Sequence, residues 1–362
     1  MAHIQKHGRR WQARYRGPDG RERTKLHDRK ADAERWLAAQ QTKIAHGEWA
    51  DPALARVTVK AWGEDWLAAK TPTLKVSTAV SYRSLWATCI VPAWGTVRLS
   101  DVSHQDVAAW VGRLSTRVGA SRCRKAATLF SGMLAAAVRD QRLSRNPADG
   151  VSLPRPTAKT QRHLNHTELQ QLADQAGPYR VMVLVLGLAG LRFGECVALH
   201  VADVDLLRRR LKVTRSVSEI NGQMIWSTPK THQSRDVPIG RFLADLLAEE
   251  IASKGPQDLL FPSPEGAPLR SGHWRRRVWS PAVARTGLGE LTPHDLRHTA
   301  ASLAISSGAT VKHVQRMLGH KDAAMTLNVY AGLFEDDLDA LTDRQDEAIA
   351  AAPPAVQIRS LR

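Results

Sequence analysis

The sequence predicts a multidomain, mainly α-helical protein with small β elements. The expected parts are a small N-terminal β-sheet with one helix, a wholly helical middle part, and a C-terminal part of mixed α+β character. Three observations carry this expectation. At 362 residues the chain is long enough for two or three domains, each with its own core. Apolar residues recur at helical spacing through most of residues 57–146 and again over Leu291–Tyr330. Two stretches break that pattern with alternating residues around turn sequences, one at Gly17-Pro18-Asp19-Gly20 and one at Asn221-Gly222.

Charge narrows the function before any motif is considered. A formal net charge of +17 and a pI near 10.3 are more basic than an ordinary soluble enzyme needs. Such a surface attracts polyanions, with nucleic acid first among them. A basic membrane-surface protein would carry an amphipathic basic helix or a lipidation signal, and the sequence offers neither. The longest apolar run, Val181 to Leu191, is too short to cross a bilayer and reads as a buried helix. No secretory signal opens the chain, and Cys89, Cys123 and Cys196 show neither disulfide nor zinc spacing. A cytoplasmic location is therefore expected.

The elements follow in order. Residues 1–30 carry ten Lys/Arg against three acids. The run Arg9–Leu26 alternates aromatic or apolar residues with basic ones on either side of the Gly17–Gly20 turn, which predicts a β-hairpin. A helix is expected from about Arg29 to His46, with Ala33, Trp36, Leu37 and Ile44 on one side. A small sheet backed by one helix, with arginines standing off it, can lay a β-ribbon against a DNA groove. The competing reading is a solvated basic tail; the ordered turn and Trp11, Tyr15 and Trp36 argue against it, since disordered tails are poor in aromatics. Pro52 marks a boundary, so residues 1–52 are expected to form the first domain.

Residues 57–150 are expected to form four helices around Trp62, Trp66, Leu85, Trp86, Trp110, Leu114, Phe130 and Leu134, with Asn146-Pro147 ending the last. Residues 151–162, rich in Pro and Lys/Arg, read as an exposed linker. Asn165-x-x-Glu168 is a capping box opening a domain expected over residues 163–345. Its buried helix runs to Leu191 and delivers Arg192, with Glu195 one turn on as an orienting acid. Leu211–Ile239 is strand-rich, with Lys230 on the loop after the second strand of the Asn221-Gly222 hairpin.

In Leu291–Tyr330, Pro293 suits a helix start, and Leu296, Ala300 and Leu303 form its apolar stripe. His294 and Arg297, three apart, share one face. A second helix buries Val311, Val314, Met317 and Leu318 and ends at Gly319, which holds His320 at a turn. Tyr330 falls near the end of a third helix that Asp322 caps. The acidic stretch from Glu335 to Ala352 reads as a helix, and residues 346–362 as a C-terminal tail.

Singly, each of these residues has a plain reading: a packed histidine or tyrosine, a helix-capping arginine, a solvated loop lysine. His294 and His298 at i, i+4 also have the spacing of zinc ligands, but no HExxH pattern accompanies them and Arg297 is a poor neighbour for a cation. The combination is more specific. Gly190-Leu-Arg192-x-x-Glu195, Lys230-Thr-x-x-Ser-x-x-Val-Pro-Ile239, His294-Asp-Leu-Arg297-His298, Leu318-Gly-His320 and then Tyr330 resemble the signature of the tyrosine recombinase family, the phage-type integrases. The first fifty residues are similar to the arm-type DNA-binding domain of such integrases, and residues 57–150 to their helical, SAM-like core-binding domain.

The resemblance implies a mixed α+β tyrosine recombinase catalytic domain and a site-specific recombinase that cuts and rejoins DNA through a 3′-phosphotyrosyl intermediate. Tyr330 would be the nucleophile. Its ordinary pKa near 10 means that it needs a cationic site or a base, and His294 is the expected base. Arg192 and Arg297 would fork onto the nonbridging phosphate oxygens, with His320 as a further donor. Lys230 would protonate the departing 5′ oxygen. Neither metal nor ATP nor another cofactor is expected, because the phosphotyrosyl ester conserves the bond energy.

The implied partners are double-stranded DNA attachment sites, three further copies of the chain in a tetramer on DNA, and a host DNA-bending protein and directionality factor. In relatives, a terminal segment like the acidic one here packs on a neighbouring protomer. The runner-up within the same chemistry is an Xer-like chromosome-dimer resolvase, against which the basic first domain argues. Another class, a non-catalytic DNA-binding protein of the same fold, would show a degraded set of site residues, and here every position is filled.

Overall fold

The computed structural model describes residues 2–156, 162–228, 234–335 and 338–351. The chain divides into two compact units, Met1–Ala158 and Lys159–Arg362.

The first unit opens with an antiparallel sheet of β1 (His3–His7), β2 (Arg10–Arg16) and β3 (Glu22–His27), in that order. The hairpin turn sits where expected, closed by Gly17 N–H to the Arg21 carbonyl and Gly20 N–H to the Gly17 carbonyl. Strand alternation divides the residues of β2 between two faces. Ala13 and Tyr15, with Trp11, face α1 (Lys30–Ala45) and meet Ala33, Leu37 and Trp49 in a small core. Arg10, Gln12, Arg14 and Arg16 occupy the alternate positions, facing away from α1. The buried Tyr15 hydroxyl is satisfied by Trp49 Nε1 at 3.0 Å. Arg23 pairs with Asp51 at 2.7 Å and lies over the Trp49 ring, which ties the hairpin to the chain leaving the helix.

The same unit continues with α2 (Val59–Lys70), α3 (Val76–Leu85), a π-helical turn over Trp86–Ile90 and α4 (Val91–Trp94). It is completed by α5 (His104–Val118) and α6 (Ala120–Arg139). Thr58 and Ser103 cap α2 and α5 with their hydroxyls. The expected core is present: Leu85, Trp86, Trp110, Leu114, Phe130 and Leu134 are buried, with Trp62 and Trp66 partly so. Trp94 stacks on Phe130 at 5.2 Å with Trp110 edge-on, a geometry aromatic rings prefer.

One boundary differs from expectation. The last helix ends at Arg139, well before Asn146-Pro147. Gln141 takes a left-handed φ of 55° and breaks the helix there. Asn146 instead orders the following turn, accepting from Ala148 N–H at 3.0 Å.

The second unit is built around α8 (Arg180–Ala189), whose Met182, Val183, Leu184, Val185 and Leu186 are buried on all sides. Helix α7 (His166–Asp174) precedes it, opened by the expected capping box: Asn165 Oδ1 and Glu168 N, and Glu168 Oε2 and Asn165 N, are each 2.9 Å apart. After the short α9 (Phe193–Cys196) come β4 (Val204–Asp205) and β5 (Arg210–Val213). The hairpin of β6 (Ser216–Ile220) and β7 (Gln223–Ser227) follows, and then β8 (Arg235–Pro238). Strands β4, β5 and β8 form one antiparallel sheet, and β6–β7 stands as a separate ribbon. Its turn, Asn221 at φ 49° and Gly222 at φ 77°, has the positive φ pair that a two-residue hairpin loop requires.

Helices α10 (Arg241–Ile251), α11 (Ser271–Trp274) and α12 (Ser280–Thr286) complete the core. The last four are α13 (Asp295–Ser306), α14 (Val311–Leu318), α15 (Ala323–Glu335) and α16 (Leu338–Ala350). Helix α13 packs along α8, and Thr299 Oγ1 on it accepts from Leu164 N–H at 3.2 Å. Among the described residues no helix is long and apolar enough to cross a membrane.

Candidate active site

The site is assembled where the ends of α8, α13 and α14 converge. Gly190 ends α8 and Gly319 ends α14, both left-handed, at φ 65° and 64°. A Cβ on Gly190 would stand 2.7 Å from Leu318 Cδ2, and one on Gly319 would stand 2.9 Å from Arg235 Cδ. Glycine is therefore required twice over, for backbone conformation and for space. Both helix ends present carbonyls inward, and Arg297 satisfies them: Nη1 donates to Gly190 O at 2.7 Å and Nη2 to Leu318 O at 2.6 Å. Arg297 is 3% exposed. Burial, and then the Arg192 charge, pull its pKa down to about 9, which still leaves it cationic at neutral pH.

Arg192 stands at the N-cap of α9, where Glu195 accepts both its backbone N–H at 3.0 Å and its Nη1 at 2.8 Å. Glu195, expected as an orienting acid, is 1% exposed. It is held from the other side by Arg235, whose Nη1 and Nη2 fork onto the two carboxylate oxygens at 3.1 and 2.7 Å. Burial works to raise the Glu195 pKa, but the Arg235 fork and Arg192 outweigh it and bring it down to about 2. A carboxylate this deep would be costly alone; two arginines make it a fixed anion. Arg235 also donates Nε to Met317 O at 3.2 Å, joining β8 to α14. Sequence reasoning missed Arg235. Its signal was an arginine opening the strand Arg-Asp-Val-Pro, within the motif already singled out.

His320 follows Gly319 as expected, half-buried, with Nδ1 2.9 Å from Thr326 Oγ1. Burial first, then Arg297, Arg192 and Arg235, press its pKa down to about 4, so the ring is neutral near pH 7. It borders a basic cleft of about 620 Å³ with Arg210, Arg235, Arg316 and Lys321 on its walls. Tyr330 lies in the middle of α15, whose first turn Asp322 caps by accepting from Met325 N–H at 2.9 Å. The tyrosine is 2% exposed, packed with Ala301, Ile305, Val314 and Leu318. Burial raises its pKa to about 12 against the pull of Arg297.

A residue that the sequence did not join to Tyr330 lies beside its hydroxyl. His298 Nδ1 lies 2.8 Å from Tyr330 Oη. His294, the expected base, precedes α13 and is exposed, with its ring perpendicular to that of His298 at 5.1 Å. The i, i+4 spacing that suggested a zinc pair instead places one imidazole outside and the other against the tyrosine. Lys230 lies outside the described residues. The structure thus brings together Arg192, Arg297, His320 and Tyr330, adds Arg235 and His298, and leaves His294 on the exposed rim.

Comparison with known proteins identifies the family. Residues 162–336 match the Phage integrase family, and residues 5–46 match the phage integrase N-terminal domain. The chain is 30% identical over 336 residues to the putative prophage phiRv2 integrase of Mycobacterium tuberculosis, covering 88% of each chain. The Tn1549 transposon integrase, solved with transposon right end DNA, superimposes with a TM-score of 0.68 at 20% identity, over 80% of this chain and 99% of that one. A lambda integrase tetramer bound to a Holliday junction superimposes at 0.58 and 18% identity, over 89% and 96%. The chain belongs to the phage integrase family of tyrosine recombinases.

Proposed function

We propose that this protein integrates or excises a phage or other mobile element by cutting and rejoining double-stranded DNA at specific sites, with Tyr330 as the nucleophile. The observation that carries the reading is the convergence of Tyr330, Arg297, Arg192 and His320 on one basic centre braced by Glu195. A phosphodiester is an anion that resists attack, and Arg192 and Arg297 neutralise its nonbridging oxygens as charge builds in the transition state. His320 donates from Nε2 while Thr326 holds its Nδ1 side. The Tyr330 oxygen bonds to phosphorus, the phosphorus–O5′ bond breaks, and the phenol proton leaves to a base. Exposed His294 sits at the site's rim and takes that role once the hydroxyl faces the phosphate. Lys230 gives the 5′ oxygen its proton.

Residues 1–52 serve as an arm-binding domain, 57–150 as a core-binding domain, and 163–345 as the catalytic domain. On the arm sheet, Gln5 Nε2 donates to Gln12 Oε1 at 2.9 Å, and Arg14 donates to the same oxygen at 2.9 Å. This polar, basic face suits a DNA groove. The match of residues 5–46 to the integrase N-terminal domain favours an integrase over a chromosome-dimer resolvase. Four copies act on paired attachment sites in the cytoplasm, with a host bending protein and a directionality factor, and the acidic C-terminal helix packs on a neighbouring copy.

The test is a nicked duplex carrying the core site, which traps the covalent adduct. Wild-type protein should yield a complex that survives denaturing detergent, and Tyr330→Phe should bind DNA and yield none. An adduct formed by Tyr330→Phe would overturn the assignment of the nucleophile.

A further inference from the structure

Tyr330 converges on the basic centre, but its hydroxyl is withdrawn from solvent. The side chain is 2% exposed, its hydroxyl is turned to His298, and its ring is enclosed by Ala301, Ile305, Val314 and Leu318. We infer that His298 is a positioning residue that latches the Tyr330 hydroxyl in this withdrawn place, and that DNA binding breaks the latch. The inference rests on Tyr330 being the nucleophile, and it concerns how that group is held before DNA arrives.

The direction of the bond follows from its surroundings. Around His298 stand His294, His163, Asp295 and Arg297. Burial, then His294, and further on His163 and Arg297, bring the imidazole pKa down to about 4 against the opposing pull of Asp295. The ring is neutral, and so is the phenol, whose pKa is raised to about 12. The Tyr330 O–H therefore donates to a lone pair on His298 Nδ1, with the ring proton on Nε2. A proton transfer along this bond would run uphill by several pKa units, so the contact holds the phenol and does not activate it. His163 strengthens the case for a closed pocket: its Nδ1 is buried, with no hydrogen-bond partner among the described residues. A net neutral hydrogen bond biases such an equilibrium by up to about tenfold.

Two replacements separate a latch from a base. Asparagine can place an acceptor oxygen near where Nδ1 stands but cannot take up a proton; alanine offers neither. In DNA-free protein, nitration of Tyr330 by tetranitromethane should rise up to about tenfold in His298→Ala and stay near the wild-type rate in His298→Asn. On the nicked core-site duplex, single-turnover adduct formation should be at least as fast in both variants as in wild type.

Nitrogen NMR of wild type gives an arm independent of whether either variant folds. The His298 Nδ1 resonance should show a hydrogen-bonded acceptor, and should shift in one direction both in Tyr330→Phe and on adding core-site DNA to wild type. Loss of adduct formation in His298→Ala and His298→Asn alike, with DNA binding retained, would make His298 the proton acceptor and overturn the latch. A Nδ1 resonance unmoved by DNA would overturn it as well. Neither outcome touches the identity of the nucleophile, which the Tyr330→Phe adduct test decides separately.

Discussion

The arm sheet and the catalytic centre are both built from arginine, and they use it in opposite ways. On the arm, Arg10 and Arg14 pair with Asp28 and Glu22 at the surface, with side chains 62% and 33% exposed. In the centre, Arg297 spends two donors on the carbonyls of two helix ends, and Arg235 forks onto a carboxylate that is 1% exposed. Surface pairs of the first kind contribute about 0–1 kcal/mol each, are screened by salt, and leave the guanidinium free to exchange its partner for a phosphate. Buried braces of the second kind lock position. The contrast teaches that charge alone does not mark a catalytic arginine; the backbone and carboxylate groups that immobilise it do.

Four measurements press on that contrast. The largest effect concerns Lys230, whose side of the comparison is open. If it acts as the general acid, Lys230→Ala should slow cleavage by ~10²–10⁴-fold with little change in binding. A substrate with sulfur at the scissile 5′ bridging position needs no proton to leave and should restore the rate. Failure of that rescue would place Lys230 with the arm's positioning cations. Next, Arg235→Leu leaves the buried Glu195 with Arg192 as its one remaining arginine and should cost about 3–5 kcal/mol in urea unfolding of the second unit, with cleavage slowed because the carboxylate that orients Arg192 is no longer braced from β8. A cost within 1 kcal/mol would mean that the brace is no more than another surface pair.

Acid should separate the two regions in a fixed order. His298 and His320, held near 4 against an ordinary 6.5, stay neutral in the fold while the unfolded chain takes up protons. Stability of the second unit should therefore fall as pH drops below 6.5. It should fall further below about 4.5, as the Glu195 contribution is lost on the way to its folded pKa of about 2. On the arm, the hydrogen bond from Arg23 first, and then its charge, hold Asp19 at about 2, so that pairing is lost only below about 3.8. Hydrogen exchange at pH values of about 7, 5.5 and 4.5, all above the range in which the Asp19 pairing is lost, should show the catalytic helices opening before the arm sheet. The smallest effect is Arg16→Ala on the open face of β2. It should leave cleavage of an isolated core site unchanged and lower the log–log salt slope for long attachment DNA by roughly 0.9.

Much of this was legible in the sequence, because local chemistry decides it. Gly17–Gly20 and Asn221-Gly222 can hardly avoid turning, Asn165 and Glu168 close a cap within four residues, and Gly319 must end α14. The motif spacing also singled out Arg192, Arg297, His320 and Tyr330, which the fold brings near one another. Glu195 was expected beside Arg192 because one helical turn separates them. Where a helix ends was less legible: Asn146-Pro147 looked like the stop, but Gln141 in a left-handed conformation had already broken α6.

What only the tertiary structure decided is which groups meet across long sequence separations. Arg235 is 40 residues from the Glu195 it holds, and Tyr330 is 32 from His298. No periodicity links such pairs; they meet because α8, α13, α14 and β8 pack on one core. Sequence spacing set His294 and His298 one helical turn apart and pointed to His294 as the base. Packing gave them different surroundings, since α15 lies against the side of α13 that carries His298 and leaves His294 exposed. Sequence alone could determine the chemical inventory, because side-chain identity and local backbone preference suffice for it. Distances and burial depend on which surfaces the whole chain can remove from water at once.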